Sequence, residues 1–374
     1  MRYLSRLFQP VITIPKNAKI KNTEITCKSQ KLLLECGLIR PTSSGLFTIL
    51  PLARRALDKL EAQIKSCIEN AGGQRVSLPS LTAAALWEKT GRLEDVGVEL
   101  MRLEDRHRKE YLLAPTHEEA IADLLADVAP LSYKQLPFLL YQISNKYRDE
   151  HRPKHGLLRA REFLMLDAYG AHADEAGAAR VYGAVSAAYQ ELFRRLALPV
   201  YISERKIKLS LYIDILLFLL SLGAFIRIWG QGGGSETLRC NNCVVLQVGH
   251  TFILGTKYSE ALSAHFTPAS GPALPVVMSC YGIGITRLLA ASLEALSSEK
   301  SLRWPRLIAP YTAIIIGPKV SIVALKQMGE EKPTTDPRLV TSLIINQTMD
   351  DRHNLTIGKR LMMADRYQHN TTFH

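Results

Sequence analysis

Ala53, Leu57, Leu60, Ile64 and Cys67 recur at intervals of three and four, which sets them on one stripe of a helix that Gly72 and Gly73 stop. A short strand-like piece follows and ends at Pro79. Farther on, LLYQIS and FLMLDAY read as strands, and the basic stretch KYRDEHRPKHGLLRAR (Lys146 to Arg161) lies between them. Two antiparallel strands joined by a charged loop are predicted there. A helix is expected to begin near Gly284, and an apolar strand over Ala313 to Ile316 is bounded upstream by Pro305 and Pro310. The pattern divides the chain into a mixed α/β run over 23–204, an aberrant block over 205–245, a resumption over 246–307 and a last unit over 308–374.

Composition narrows the class. The chain has 374 residues, 47% of them hydrophobic and 22% charged, enough apolar material for two or three globular domains and too much for wholesale disorder. Lys and Arg outnumber Asp and Glu by 47 to 35, so a polyanion such as a nucleic acid or a nucleotide phosphate is the expected partner. Part of that excess sits at the start: Arg2, Arg6, Lys16, Lys19 and Lys21 precede the first acid, Glu24. Residues 1–22 therefore read as a remnant of a mitochondrial targeting segment. The six cysteines are sparse, which argues for a reducing compartment and against a disulfide framework.

The chemistry concentrates in Lys146 to Arg161, where six Lys or Arg face two acids in sixteen residues. Such a loop can fold over a triphosphate with forked guanidinium contacts, or it can be a solvated charged hairpin. Arg148 and Glu150 stand two apart, as on one face of a strand, and Arg159 precedes Phe163 by four. This spacing resembles motif 2 of the class II aminoacyl-tRNA synthetases. The resemblance implies that Arg148 holds the α-phosphate and the amino-acid carboxylate, Glu150 the adenine amino group and Arg159 the γ-phosphate, with Phe163 stacked on the base. GQRVSLPSL, with Val76 three residues before Pro79, resembles motif 1 and implies a homodimer interface at Pro79. Gly282, Gly284 and Arg287 in CYGIGITRLLAA resemble motif 3, which brings glycine backbone close to the nucleotide and an arginine to the γ-phosphate.

LLAPTHEEAIADL, SYKQLPFLLYQ and GHTFILGTKYS are similar to prolyl-tRNA synthetases, nearest the mitochondrial type, and the likeness spans about two thirds of the chain, 25–204 and 246–311. It implies an α/β (α+β) fold: an antiparallel class II sheet flanked by helices over 23–307, and an incomplete α/β anticodon-binding domain over 308–374. It implies ATP with Mg2+ as cofactors, L-proline and tRNA(Pro) as partners and the mitochondrial matrix as location. Thr116 and Glu118 are expected at the proline ammonium, Arg148 at its carboxylate, and His250, Phe252 and Cys280 around the ring. Arg148, Arg159 and Arg287 are the expected catalytic groups, working by position and charge without a side-chain nucleophile.

The block over 205–245 departs from the family. A Gly-Gly-x-x-Ser-His-Glu-Phe segment is expected there, and RKIKLSLYIDILLFLLSLGAFIRIW stands in its place. Eighteen residues between Lys208 and Arg227, broken only by Asp214, leave three readings: a translated intron, a buried helix or a membrane span. Cys240 and Cys243 form one CxxC, half a zinc site, and no metal held by cysteines is expected. The alternative to the enzyme is a catalytically impaired, synthetase-like RNA-binding or dimerisation protein, or a defective gene model.

Overall fold

A computed structural model describes residues 2–10, 24–128, 130–198, 200–207, 210–219, 244–316, 347–352 and 355–366. The first long helices are α1 (Lys28–Glu35) and α2 (Pro51–Asn70). Proline opens α2 at a position whose N–H would have no helical partner. Leu52, Ala53, Ala56, Leu57, Leu60, Ile64, Cys67 and Ile68 form its buried stripe, and Gly72 takes a φ of 88° just beyond its end. Then come α3 (Glu118–Asp127), α4 (Glu175–Arg195) and α5 (Ile285–Leu296). The Asp174 carboxylate caps α4 by accepting from Gly177 N at 2.6 Å.

Seven strands make the main sheet: β1 (Gly73–Arg75), β2 (Phe138–Tyr147), β3 (Glu162–His172), β4 (Val200–Ile207), β5 (Ser210–Leu219), β6 (Val244–Gly255) and β7 (Val277–Gly284). They lie in the order β4-β5-β6-β7-β3-β2-β1. Every pairing is antiparallel except that of the short edge strand β1 with β2. The expected hairpin on either side of Lys146–Arg161 is β2 and β3, with Glu162 opposite Tyr147.

Side chains alternate across a strand, and here the alternation separates packing from chemistry. Leu139, Tyr141, Leu166, Ala168, Tyr281 and Ile283 enter one core with α1, α2, α4 and α5. Leu60 and Ile64 are fully enclosed there, each stabilising the fold by about 1.5–3 kcal/mol through burial. The residues between them, Leu140, Tyr169, Ala171, Met278 and Cys280, face the other way into a smaller core with Ile121, Ala122 and Leu125 of α3. The functional side chains share this second face.

The aberrant block enters the sheet. Residues Ser210–Leu219 are the strand β5, between β4 and β6, with Asp214 paired to His250 and Tyr212 to Phe252 in register. No helix among the described residues is long and apolar enough to cross a membrane. Residues 205–207 end β4 and 244–245 begin β6, while 208–209 and 220–243, with Cys240 and Cys243, lie outside the described residues. Near the chain ends, Arg2–Tyr3 pairs in parallel with Gln347–Met349, which pairs in parallel with Ala313–Ile315. Ser5 N donates to Asp351 Oδ1 at 2.9 Å. Much of the expected targeting segment, 11–22, lies outside the described residues.

Candidate active site

The floor of the site comes from strand register. On β6 and β7, His250 stands opposite Gly282 and Phe252 opposite Cys280; on β3, Asp167 pairs with Gly282 and Tyr169 with Cys280. Across β2 the same row continues through Gln142, opposite Asp167. His250, Phe252 and Cys280, expected together, do converge: the His250 and Phe252 ring centroids are 4.8 Å apart, and Cys280 is buried. A Cβ on Gly282 would lie 2.4 Å from Met165 Cε and 2.7 Å from His250 Nε2, so the bare backbone makes room for the imidazole. Burial and then the charge of Arg148 push the His250 pKa down to about 4, which leaves a neutral ring at physiological pH.

At one end of this floor α3 begins. His117 is its N-cap and Glu118 its first residue. Thr116 Oγ1 donates to Glu118 Oε2 at 2.6 Å, joining the two residues expected at an ammonium. Arg92, from the short helix Arg92–Asp95, reaches Glu118 Oε2 at 3.2 Å and Glu119 Oε1 at 2.9 Å, and its guanidinium lies over Trp87, 4.6 Å from the ring centroid. Burial pushes the Glu118 carboxyl up, but Arg92 and Thr116 outweigh it and hold the carboxylate ionised. For Glu119 burial prevails, with Glu118 adding to it, and the shift is upward.

Behind Thr116 lies a buried polar group that motif spacing alone did not assign. Lys146 Nζ is 2.7 Å from Asp167 Oδ1, and neither side chain is exposed by more than 2%. Asp167 Oδ2 accepts from Tyr169 Oη at 2.9 Å and from Gln142 Nε2 at 3.1 Å. Tyr169 Oη in turn accepts from His117 N at 2.8 Å. The His117 ring spans Pro79 O at 3.0 Å through Nε2 and Gln142 Nε2 at 3.0 Å through Nδ1, a pattern that puts the ring proton on Nε2. The signal was present in the sequence: Gln142, Ser144 and Lys146 alternate with Tyr141 and Ile143, and Asp167 interrupts an apolar strand.

The basic loop forms the opposite end. Arg148 and Glu150 do not share one face of a strand as their spacing suggested. β2 ends at Tyr147, Arg148 N still reaches Arg161 O at 2.9 Å, and then the chain turns, with Glu150 N donating to Arg148 O at 2.8 Å. The turn directs Glu150 to Arg159, whose Nε and Nη2 lie 2.8 and 2.7 Å from Glu150 Oε2. The Arg148 guanidinium lies 5.2 Å from the Phe163 ring centroid, and its enclosed Nε has no hydrogen-bond partner among the described residues. Arg287, in the first turn of α5, donates through Nε to Leu158 O at 2.9 Å. Burial, then Arg148, lowers its pKa to about 10, with Arg159 acting in the same direction. Cations near enough to disfavour one another's charge make a site for a polyanion.

Pro79 is exposed at the end of the segment that follows β1, while its carbonyl belongs to the site through His117. Among the described residues no three His, Cys, Asp or Glu side chains converge as a metal centre.

Known proteins of one family resemble this chain. A family model described as the tRNA synthetase class II core domain (G, H, P, S and T) matches residues 101–296. The probable mitochondrial proline–tRNA ligase of Rattus norvegicus is 40% identical over 400 residues, covering 97% of this chain and 81% of the relative. The human protein of the same description is 41% identical over 398 residues, covering 97% and 82%. The proline–tRNA ligase of the bacterium Nitrobacter winogradskyi is 34% identical over 360 residues, covering 84% and 80%. Among solved structures, the prolyl-tRNA synthetase of Cryptosporidium parvum complexed with halofuginone and AMPPNP aligns with a TM-score of 0.71 at 17% identity. That alignment covers 90% of this chain and 65% of the crystallised one, and at such identity it shows the fold. A class II sheet with this site on one face, and relatives at 40% identity along nearly the whole sequence, make the chain a member of the proline–tRNA ligase family.

Proposed function

We propose that this chain activates L-proline with ATP and transfers the prolyl group to tRNA(Pro) in the mitochondrial matrix, working as a homodimer with Pro79 at the interface. The observation that carries the reading is the buried Glu118 carboxylate, held ionised by Arg92 and Thr116 and sharing Arg92 with Glu119. The secondary ammonium of proline complements that charge, with Thr116 and Glu118 as its acceptors. His250, Phe252 and Cys280 enclose the ring, and Arg148, with its unpartnered Nε, takes the carboxylate.

In the first step a proline carboxylate oxygen attacks the α-phosphorus of ATP and pyrophosphate leaves, giving prolyl-adenylate. In the second, a hydroxyl of the terminal ribose of tRNA attacks the prolyl carbonyl and AMP leaves. Arg148 neutralises charge at the α-phosphate, Arg159 and Arg287 receive the outer phosphates, Glu150 meets the adenine amino group and Phe163 the base. Gly282 and Gly284 keep the strand that ends at α5 free of bulk. These groups bind and orient, and the rate gain comes from position and charge. Mg2+ would enter as part of MgATP and add charge neutralisation at the phosphates.

Proline-dependent exchange of labelled pyrophosphate into ATP tests the reading. Exchange is expected with proline alone among the standard amino acids, and equal exchange with threonine or serine would overturn it. Sedimentation of the wild type and of Pro79→Asp tests the dimer: a fall from twice the chain mass to once is expected.

A further inference from the structure

We propose that the buried Lys146–Asp167 pair is a positioning device that sets Thr116 and Glu118 for the substrate ammonium, acting through Tyr169. The inference rests on the proline-activating reading above and deepens it.

The chain of contacts is short and each link has one direction. Lys146 Nζ lies 2.7 Å from Asp167 Oδ1 and also donates to Ser144 Oγ at 2.6 Å, so the ammonium is held from two sides. The other carboxylate oxygen, Oδ2, accepts from Tyr169 Oη at 2.9 Å. A phenol that spends its single proton on Asp167 can only accept from its other neighbours. It therefore accepts from the backbone N–H of His117 at 2.8 Å and stands in contact with Thr116 Oγ1, 3.3 Å away. His117 is the residue between Thr116 and Glu118. The Asp167 charge thus fixes the hydroxyl orientation that pins the Thr116–Glu118 segment, and it leaves the Thr116 proton for Glu118 Oε2 at 2.6 Å.

Two features separate this arrangement from a core that merely tolerates an ion pair. A fully enclosed pair is costly to desolvate and seldom the most stabilising choice for a core. Here its free oxygen is spent on two groups that both lead to the substrate loop, Tyr169 and, through Gln142, the His117 ring. The fold also supplies it by period-two placement: Lys146 and Gln142 lie on β2, Asp167 and Tyr169 on β3, all on the site face. Neither Lys146 nor Asp167 is placed at the reacting atoms, so both are positioning residues.

The test uses the full chain with Tyr169→Phe, Asp167→Asn and the double replacement Lys146→Met with Asp167→Leu. In pyrophosphate exchange each is expected to raise the proline KM at least tenfold, while the ATP KM stays within about twofold and kcat falls less than the proline KM rises. Adding Tyr169→Phe to Asp167→Asn is expected to bring no further loss, because both cut one chain. The second readout is amide hydrogen exchange at His117, at least tenfold faster in Tyr169→Phe than in the wild type. Tyr169→Phe keeps the ring and serves if the charge variants fail to fold. A proline KM within twofold of wild type, proline and ATP KM rising together, or unchanged His117 exchange would each overturn the proposal. If the wild type shows no proline-dependent exchange, the functional reading fails, while the His117 amide still decides whether the relay pins its loop.

Discussion

Arg159 grips one oxygen of Glu150 with two nitrogens, Nε at 2.8 Å and Nη2 at 2.7 Å. The two residues assigned to opposite ends of ATP are bound to each other, so a nucleotide that engages both must draw them apart. Replacing the guanidinium by an ammonium keeps the charge and loses the fork. Arg159→Lys is therefore expected to raise the ATP KM about tenfold, or about 1.4 kcal/mol, with the proline KM within twofold. Steady-state exchange at varied ATP checks this.

Arg148 sits where carboxylate and α-phosphate would meet, and its loss is expected to lower kcat/KM for activation by about 2–4 kcal/mol. A control must be a cation without structural duty. Arg55, whose helical spacing suggests a purely polar face, is unsuitable: its Nε donates to Pro310 O at 2.5 Å and its guanidinium lies 4.6 Å from the Tyr311 ring centroid. Lys65, half exposed and 3.8 Å from Glu69, serves better. Lys65→Ala is expected to leave kcat/KM unchanged, and equal effects from the two replacements would displace Arg148 from the site.

The two motif 3 glycines are expected to differ. A Cβ on Gly282 meets Met165 Cε and the His250 ring at under 3 Å, whereas on Gly284 its nearest contact is Arg287 Cβ at 3.4 Å. Gly282→Ala should cost about 1–3 kcal/mol of stability through overpacking and lower kcat/KM for proline at least tenfold by moving His250. Gly284→Ala should stay within threefold. Urea denaturation with exchange kinetics on both variants separates the two sites.

Arg92 holds two buried carboxylates, and Arg92→Ala leaves both without their cation. A loss of about 3–5 kcal/mol is expected. Glu119, already shifted upward by burial, takes the proton first. A carboxyl with a raised pKa stabilises the fold below its ordinary range and loses that contribution as pH rises. The stability gap between wild type and variant should therefore widen from pH 4.5 to pH 7 in urea denaturation. A gap that narrows would place the charge elsewhere.

His172 is fully buried with Nε2 2.8 Å from Ser279 Oγ, and burial lowers its pKa to about 4 from an ordinary 6.5, with Asp174 opposing. Between those values the unfolded chain binds a proton that the folded one does not, so the contribution is complete above about pH 6.5 and is lost as pH falls toward 4. Its size is about 3 kcal/mol. Denaturation of wild type and His172→Gln at pH 7 and pH 4.5 should show the variant losing less on acidification.

What could be read from the sequence follows from how locally each feature is encoded. The α2 stripe from Ala53 to Cys67, the hairpin around Lys146–Arg161 and the start of α5 after Gly284 all rest on periodicity or glycine within a dozen residues, and each is present. The grouping of His250, Phe252 and Cys280 was reached through resemblance, and strand register places them side by side. Arg92 was out of reach because it lies 26 residues before Glu118 in a four-residue helix, with no spacing to link them. The Arg148–Glu150 relationship was misread because two-residue spacing implies a common face only while the strand continues. Ser210–Leu219 escaped as a strand because an apolar run broken only by Asp214 suits a helix and a buried strand equally.

The pairing of Arg2–Tyr3 with Gln347–Met349 also fixes an order of events during synthesis. Arg2 pairs with Thr348 and Tyr3 with Met349, and Ser5 meets Asp351 across the same separation of 346 residues. A chain growing from its first residue can close α2 against the main sheet while the last unit is still being made. The parallel ribbon cannot form until residues near 350 have left the ribosome, and it then draws one small contact from a very long loop, whose closure is entropically unfavourable. The first strand of the chain is thus among the last parts of the molecule to find its place.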